Sequence, residues 1–462
     1  MLLNNCGEMI AEKDIFHAAS ELLKKGKIIS VKGLGGFHLV CDAKNADAIS
    51  CLRNRKNRPE KPLAIMAKNF DLVSKICEVN EIEKKIITSD RRPIILLKKN
   101  VNYNLPKNLT PGVNTVGIML PYTYIHNSLF EEGLDYLVMT SGNMSSTPIQ
   151  YKNSEAINTL SGIADFFILH DSNIKVPLED SIVKVIEDSE SMVRIGRGYA
   201  PIKIEIDNTK SIVGLGAEQK STFCISQDGY AYISQYFGDL KFKDAFRAYS
   251  KGLSKLMYKL NSNPKVIAFD MHPSYINSQY AEKMEGLKVP IQHHHAHMVS
   301  CMVEHNIYHK VLGVIYDGTG FGTDGALWGG ELIIGDRDDF IRAGHFKYVS
   351  IQGGDQSIKE PWRTAVSYLY TMGVDAKDYI KGLSSNDLEM VVLALKNNIN
   401  CYKSSSIGRL FDCISSLLGI CHVINYDAQG AILLENIIDE NEEGSYGYKI
   451  ENTNGCFEID YK

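Results

Sequence analysis

"SIVGLGAEQKSTFCISQDGYAYISQYFGDL", residues 211–240, reads as a strand, a glycine-bearing turn, a second strand, an Asp-Gly hairpin turn at Asp228 and Gly229, and a third strand. The same order returns in residues 310–336, "KVLGVIYDGTGFGTDGALWGGELIIGD". Either stretch alone is accounted for by a plain hairpin. Their repetition points instead to two related α/β halves that take a nucleotide between them. A P-loop is excluded, because Lys220 in "GLGAEQKS" lacks the preceding glycine of G-x-x-x-x-G-K-[ST].

Working outward, such a duplicated α/β layout is that of the actin and sugar-kinase class, and it is expected to occupy residues 211–462. "RGYAPIKIEIDNTK", residues 197–210, reads as the linker that enters it. Between the two repeats lies "YAEKMEGLKVPIQHHHAHMVSCMVEHN", which turns into a helix near Gln292. On that helix His293 and His297 stand one turn apart on one face, and His294 and His295 are expected to point elsewhere. An i, i+4 histidine pair is the spacing of helical zinc and iron sites. Asp317, at the end of an expected strand 311–316, offers a third ligand for one divalent metal ion. No H-E-x-x-H protease motif is present.

The first part of the chain carries three further loops beside apolar strands. "GKIISVKGLGGFHLVCDAKN", residues 26–45, follows an amphipathic helix and reads as strand, glycine turn, strand. Gly33, Gly35 and Gly36 let backbone approach a ligand closely. "CLRNRKNRPEKPLAIMAKN", residues 51–69, places Arg53, Arg55, Lys56, Arg58 and Lys61 within nine residues, then passes through Pro59 and Pro62 into an apolar strand. Several cations converging on a rigid turn suit a polyphosphate. "YLVMTSGNMSSTPI", residues 136–149, is a buried strand delivering Ser141, Gly142 and Asn143 at its carboxyl end, where α/β sheets hold ligands.

Composition bounds these readings. A chain of 462 residues with 44% hydrophobic content has room for two or three domains. The net charge of -5 gives no general pull toward nucleic acid or anionic membrane. Ten cysteines without a C-x-x-C pair argue against a zinc ribbon and against a secreted disulfide framework. Neither a long apolar run nor a signal-peptide layout is found, so a cytoplasmic location is expected.

"VKGLGGFHLVCDA", "LRNRKNRPEKPLAIM", "VGIMLPYT", "TSGN" and "RIGRGYAP", spread over residues 10–205, resemble the YrdC-like domain of the HypF family of hydrogenase-maturation carbamoyltransferases. "HHHAH", "YDGTGFGTDGALWGGE", "GGDQSIKEPWR" and "SSIGRLFDCISSLLGI" are similar to its following TsaD-like domain. The resemblance implies that Lys32, Lys56, Arg58, Ser141, Asn143, Ser181 and Arg194 bind ATP, with its Mg2+, and the carbamoyl group. It implies that Lys220, Gly318, Thr319, Gly320 and Gly322 bind nucleotide, and that His293, His297 and Asp317 hold iron or zinc. The implied activity is formation of carbamoyl adenylate from ATP and carbamoyl phosphate, then transfer to the C-terminal cysteine of a HypE-type acceptor protein.

The chain departs from the family pattern at Ser172 and Leu178, where cations are expected, and at Asn127, which replaces a histidine of "PYTPLHH". The family's acylphosphatase domain, zinc fingers and last helices find no counterpart in these 462 residues, so an incomplete second domain with exposed apolar surface is expected. Two other readings stay open at this point: a tRNA threonylcarbamoyl-type synthase, and a non-catalytic metal- and nucleotide-binding remnant.

Overall fold

The computed structural model describes every residue except Glu12, Glu132, Ser145, Ser146, Glu440 and Lys462. The chain forms two compact units, residues 1–269 with 275–289, and residues 270–274 with 290–462.

The first unit holds two sheets. Its eleven-stranded sheet has the order Ser189–Arg194, Ile182–Ile186, Ile94–Lys98, Thr115–Met119, Ile65–Ala67, Tyr136–Ser141, Phe37–Asp42, Ile29–Lys32, Phe166–Ile168, Leu2–Asn4 and Met9–Ala11. Both faces are covered, which is why the central strands are apolar throughout rather than alternating. Leu39 and Cys41 face a core shared with Ile49 and Leu52 of helix Ala46–Lys56, whereas Val40 faces Ala19 and Leu23 of helix Ile15–Lys24. The helix that carries the cationic run starts because the Asn45 side chain accepts from the Asp47 and Ala48 amides. It stops at Asn57, whose φ of 49° is left-handed.

The second sheet has the order Ile202–Glu205, Tyr230–Ile233, Cys224–Gln227, Ile212–Gly214, Val266–Asp270 and Leu287–Ile291. Helix Lys243–Lys259 packs Tyr249 and Leu253 against Val213, Ile225 and Ile267. The hairpin at Asp228 and Gly229 forms with positive φ at both residues, the primed turn that matches strand twist. The stretch read as a linker is not free chain: Ile202–Glu205 pairs antiparallel with Tyr230–Ile233 as an edge strand. Its alternating Ile202 and Ile204 supply the reason, since period-2 apolar residues suit a half-covered edge.

The second unit is built on a seven-stranded sheet in which Val311–Phe321 pairs with Leu327–Gly335. Here the expectation of a strand ending at Tyr316 is corrected. Pairing slips between Tyr316 and Gly320, then resumes with Gly320 opposite Trp328, so the glycine turn is a bulge inside one long strand. Helix His293–Glu304 covers one face of this strand through Met298 and Met302. Helices Pro361–Met372, Ser385–Lys396 and Ile407–Leu417 form a separate core around Trp362, Leu369, Val391 and Cys413. Among the described residues no helix is long and apolar enough to cross a membrane.

Candidate functional sites

In the first unit the five cations of the basic run divide by role. Arg53, almost fully buried, donates to the carbonyls of Arg58, Pro59, Lys61, Asn108 and Leu109, so it holds the loop rather than a ligand. Arg55 is committed to Asp165 and the Ile163 carbonyl. Lys56 and Arg58 instead converge on the end of strand Tyr136–Ser141. The Lys56 ammonium donates to Thr140 Oγ1 at 3.4 Å, to Asn143 Oδ1 at 3.1 Å and to the Ser141 carbonyl. The Arg58 guanidinium donates to the same Thr140 Oγ1 at 3.2 Å, and also to the carbonyls of Lys61 and Pro62.

Burial, then the Arg58 charge, pushes the Lys56 ammonium well below its usual range, and Glu179 offsets this only in part. Burial, then Arg53 and Arg194, pulls Arg58 down to about 10. Two desolvated, mutually repelling cations favour an anion between them. The Asn143 amide is fixed beside them. Its Oδ1 accepts from Lys56 and from Ser141 Oγ at 2.8 Å, while its Nδ2 donates to the Thr147 carbonyl.

The other expected ligands are placed as follows. Ser181 is wholly buried as a latch: its hydroxyl donates to the Arg197 carbonyl at 3.0 Å and accepts from the Gly196 amide at 2.8 Å. Arg194 donates to Glu179 Oε2 at 2.6 Å and to the Asp180 carbonyl. Lys32 donates to the carbonyls of His170 and Ser172 at the edge of a cavity of about 340 Å³ lined by Tyr151, Lys152, Asn153, Ser154 and Asn173. Ser172 thus presents backbone to Lys32. Leu178 also acts through backbone, its amide donating to the Gly35 carbonyl, and a Cβ on Gly35 would lie 2.1 Å from the Leu178 carbonyl oxygen. Asn127 is exposed, its amide donating to the Thr123 carbonyl. Lys220 occupies an exposed left-handed turn position of the first unit.

In the second unit the bulge turns Asp317 toward helix His293–Glu304. The helix begins at Gln292, whose side-chain oxygen accepts from the amides of His294 and His295. Ligand atoms of His293, His297 and Asp317 lie within 4.8 Å of one another. His293 Nε2 is 3.2 Å from His297 Nε2 and 3.3 Å from Asp317 Oδ2. The other ring nitrogen of His293, Nδ1, donates to Asp270 Oδ2 at 2.6 Å. That contact fixes the tautomer with Nε2 turned to the cluster, as metal-bound imidazoles require.

A divalent ion fits these residues. Asp317 Oδ2 is buried without a hydrogen-bond partner, and two rigid imidazoles converge on it. Burial disfavours charge on His293, but the Asp270 and Asp317 carboxylates outweigh it and raise its pKa to about 9. Burial would likewise raise Asp317, yet its histidine neighbours hold it well below the usual carboxylate range. Burial, then the His293 charge, lowers His297.

His294 corrects an expectation, because it does not point away. Wholly buried, it sets Nε2 3.7 Å from Asp317 Oδ2 while Nδ1 meets the Gln292 amide. His295 does point away, to the Asp336 carbonyl. Gly320 is what lets both rings approach: a Cβ there would lie 2.4 Å from His294 Cε1 and 2.8 Å from His293 Cδ2. Gly322 makes the same allowance for Trp328, at 2.1 Å. The Gly318 amide donates to Asp317 Oδ1 and the Thr319 hydroxyl to the Gly318 carbonyl, and Ser406, cap of helix Ile407–Leu417, donates to the Asp317 and Gly318 carbonyls. Asp270 was missed in the sequence; the available signal was a lone acid closing an apolar strand in "VIAFDMHP".

Three family models match consecutive parts of the chain: "Telomere recombination" over residues 21–196, "HypF Kae1-like domain" over 207–304, and "Carbamoyltransferase, Kae1-like Domain, second subdomain" over 313–462. The chain is 35% identical to the carbamoyltransferase HypF of Synechocystis sp., covering 99% of this chain and 63% of that protein. It is 35% identical to the carbamoyltransferase HypF2 of Cupriavidus necator, covering 95% and 57%. A crystal structure of full-length HypF in a phosphate- and nucleotide-bound form superposes with a TM-score of 0.96 at 37% identity, covering all of this chain and 60% of that one. The HypF structure from T. kodakarensis superposes with a TM-score of 0.93 at 32% identity. The chain therefore spans about three-fifths of the length of the curated relatives it matches.

Proposed function

This chain belongs to the HypF carbamoyltransferase family, and from that premise we propose that it forms carbamoyl adenylate and passes the carbamoyl group to a protein thiol. The acyl substrate is carbamate, which hydrolysis of carbamoyl phosphate supplies together with phosphate. A carbamate oxygen then attacks the α-phosphorus of ATP, the bond to the β-phosphate bridging oxygen breaks, and pyrophosphate leaves. The observation that carries the reading is the pair of desolvated cations, Lys56 and Arg58, fixed at a strand end against Thr140 and Asn143. Their charge is set to neutralise the phosphates, with Mg2+ and ATP as the co-substrate pair, and to stabilise the charge that develops on the leaving pyrophosphate.

The second step is attack of an acceptor thiolate on the carbamoyl carbon, with AMP leaving; the acceptor is the C-terminal cysteine of a HypE-type protein. His293, His297 and Asp317 would hold one iron or zinc ion, which when bound supplies Lewis acidity or an anchor for nucleotide phosphate. Asp270 keeps His293 Nε2 free for that role and Gln292 with His294 backs Asp317. Pyrophosphate release by the chain given ATP, Mg2+ and either carbamoyl phosphate or fresh ammonium carbamate tests the first step. No release above the level without the carbamoyl donor would refute it.

A further inference from the structure

The glycine turn of the first unit encloses a polar group that the reading above leaves unused. His38 follows the turn and stands directly across the strand pair from Ser141. It is almost fully buried, and its Nε2 is 2.9 Å from Asp180 Oδ2. The second Asp180 oxygen accepts from Arg197 Nε at 2.7 Å, and the Arg197 guanidinium is spent on the carbonyls of Arg91 and Arg92 and on the Tyr122 ring face at 3.4 Å. Asp180 is thus an anion, held below the usual carboxylate range by His38 and Arg197 against the pull of burial. With the Nε2 hydrogen directed at Asp180 Oδ2, Nδ1 of that tautomer is an acceptor.

That Nδ1 is buried and has no hydrogen-bond partner. Gly33 packs closely against it: a Cβ there would lie 3.2 Å from both Nδ1 and Cε1 of His38 and 3.3 Å from the Gly36 carbonyl oxygen. Gly33 has no positive φ, so its glycine is explained by these close approaches and not by backbone torsion. His126, its ring centroid 5.8 Å from that of His38, is also wholly buried with both ring nitrogens unpartnered. Burial pushes its pKa down to about 3, so it adds no charge. Three unpartnered imidazole nitrogens in one buried place, beside the expected carbamoyl ligand Ser141, call for a small polar occupant.

We infer that His38 is a specificity-determining residue for the adenylation step, its Nδ1 accepting a hydrogen bond from the N–H of the small trigonal acyl substrate, held across the strand pair from Ser141. The inference rests on the carbamoyl adenylate reading and sharpens it. Carbamate and acetate are isosteric carboxylates, one ending in NH2 and the other in CH3. A site with a buried obligate acceptor takes the first and leaves its acceptor unsatisfied with the second. The N–H proton is shared and not transferred, so the bonds made and broken stay those of carboxylate attack on the α-phosphorus.

The test uses the full chain with ATP and Mg2+ and measures pyrophosphate release with fresh ammonium carbamate or with acetate. Histidine to alanine would remove the Asp180 contact as well, so the informative variant is His38→Gln, whose amide nitrogen reproduces Nε2 toward Asp180 but offers nothing at Nδ1. The expected result is that the wild type prefers carbamate by at least about tenfold in kcat/KM, and that His38→Gln loses about tenfold or more with carbamate but less than about twofold with acetate. Its melting temperature and its affinity for a non-hydrolysable ATP analogue should match the wild type. If His38→Gln retains the preference, or loses both substrates equally, His38 only holds the loop to Asp180 and the inference is wrong. If the wild type releases no pyrophosphate with either, the adenylate reading itself fails and takes the inference with it.

Discussion

At the scale of single residues, partners decide chemistry more than residue type does. Arg53 and Arg58 stand five positions apart in the same cationic run, yet Arg53 is saturated by five carbonyls, whereas Arg58, held by two loop carbonyls, also reaches a hydroxyl at a strand end. Arg58→Ala should therefore weaken ATP binding by one to two decades, about 1.5–3 kcal/mol for a charge-assisted contact. Calorimetry on the full chain checks this, and unchanged affinity would remove Arg58 from the site. Asp270 accepts from His293 Nδ1 at 2.6 Å. Asp270→Asn should lower metal affinity by about ten- to a hundredfold through loss of that orienting carboxylate. Competition against a chromophoric chelator reads it, with the His293→Ala/His297→Ala double variant, which should hold no stoichiometric metal by elemental analysis, as the lower limit.

At the scale of elements, the second-unit site is made by one helix, one bulged strand and the glycine between them. Gly320→Ala would drive a methyl group into the rings of His293 and His294. Because both rings are held, by Asp270 and by Gln292, neither can yield freely. The expected outcome is loss of metal affinity with a melting temperature lowered by a few degrees, read by the same chelator assay and by calorimetry. Helix Ile407–Leu417 makes a pH-dependent contribution of its own. Asp412 pairs with Arg409 at 2.7 Å, but burial wins and raises its pKa to about 6. The folded state thus holds that proton more tightly than the unfolded chain, so stability from this group is full below about pH 4 and falls as pH rises through about 6. Between about pH 4.5 and about pH 7.5 the loss should be ~2 kcal/mol, and Asp412→Asn should flatten stability against pH by that amount. Equal slopes in the two proteins would show that Arg409 compensates the carboxylate fully.

At the scale of the whole molecule, the two units differ in how well their sheets are covered. The eleven-stranded sheet is covered on both faces. On the strand Val311–Phe321, helix His293–Glu304 takes one face, while Leu312 at 60%, Val314 and Tyr316 stay exposed on the other. Ile334, at 46%, and Ile341, at 70%, extend the row across the neighbouring strands, since Leu312 pairs with Ile334 and Ile334 with Ile341. Among the described residues no strand pairs with the far edge of Val311–Phe321. An uncovered apolar face beside an open edge is a site of association. The second unit should bind a hydrophobic dye and self-associate at micromolar concentration, and Ile341→Lys should reduce both without altering the melting temperature much. Light scattering that shows a monomer at all concentrations would contradict this.

Local pattern was enough to find the strands and the Asp-Gly hairpin of residues 211–240, the helix at Gln292, and the i, i+4 spacing of His293 and His297, because strand and helix periods and turn chemistry are properties of neighbours in the chain. The acid Asp317 was legible too, as the residue closing an apolar run. That the run continues as a bulge to Phe321, that His294 turns toward Asp317, and that His293 reaches back 23 positions to Asp270 were decided by packing alone. The same division holds in the first unit. Charge density marked Lys56 and Arg58, but only burial at the end of strand Tyr136–Ser141 separated them from Arg53, and nothing local ties His38 to an aspartate 142 residues on. The physical reason is that desolvation and hydrogen-bond commitment, which set what a charged group can do, depend on contacts between segments far apart in sequence.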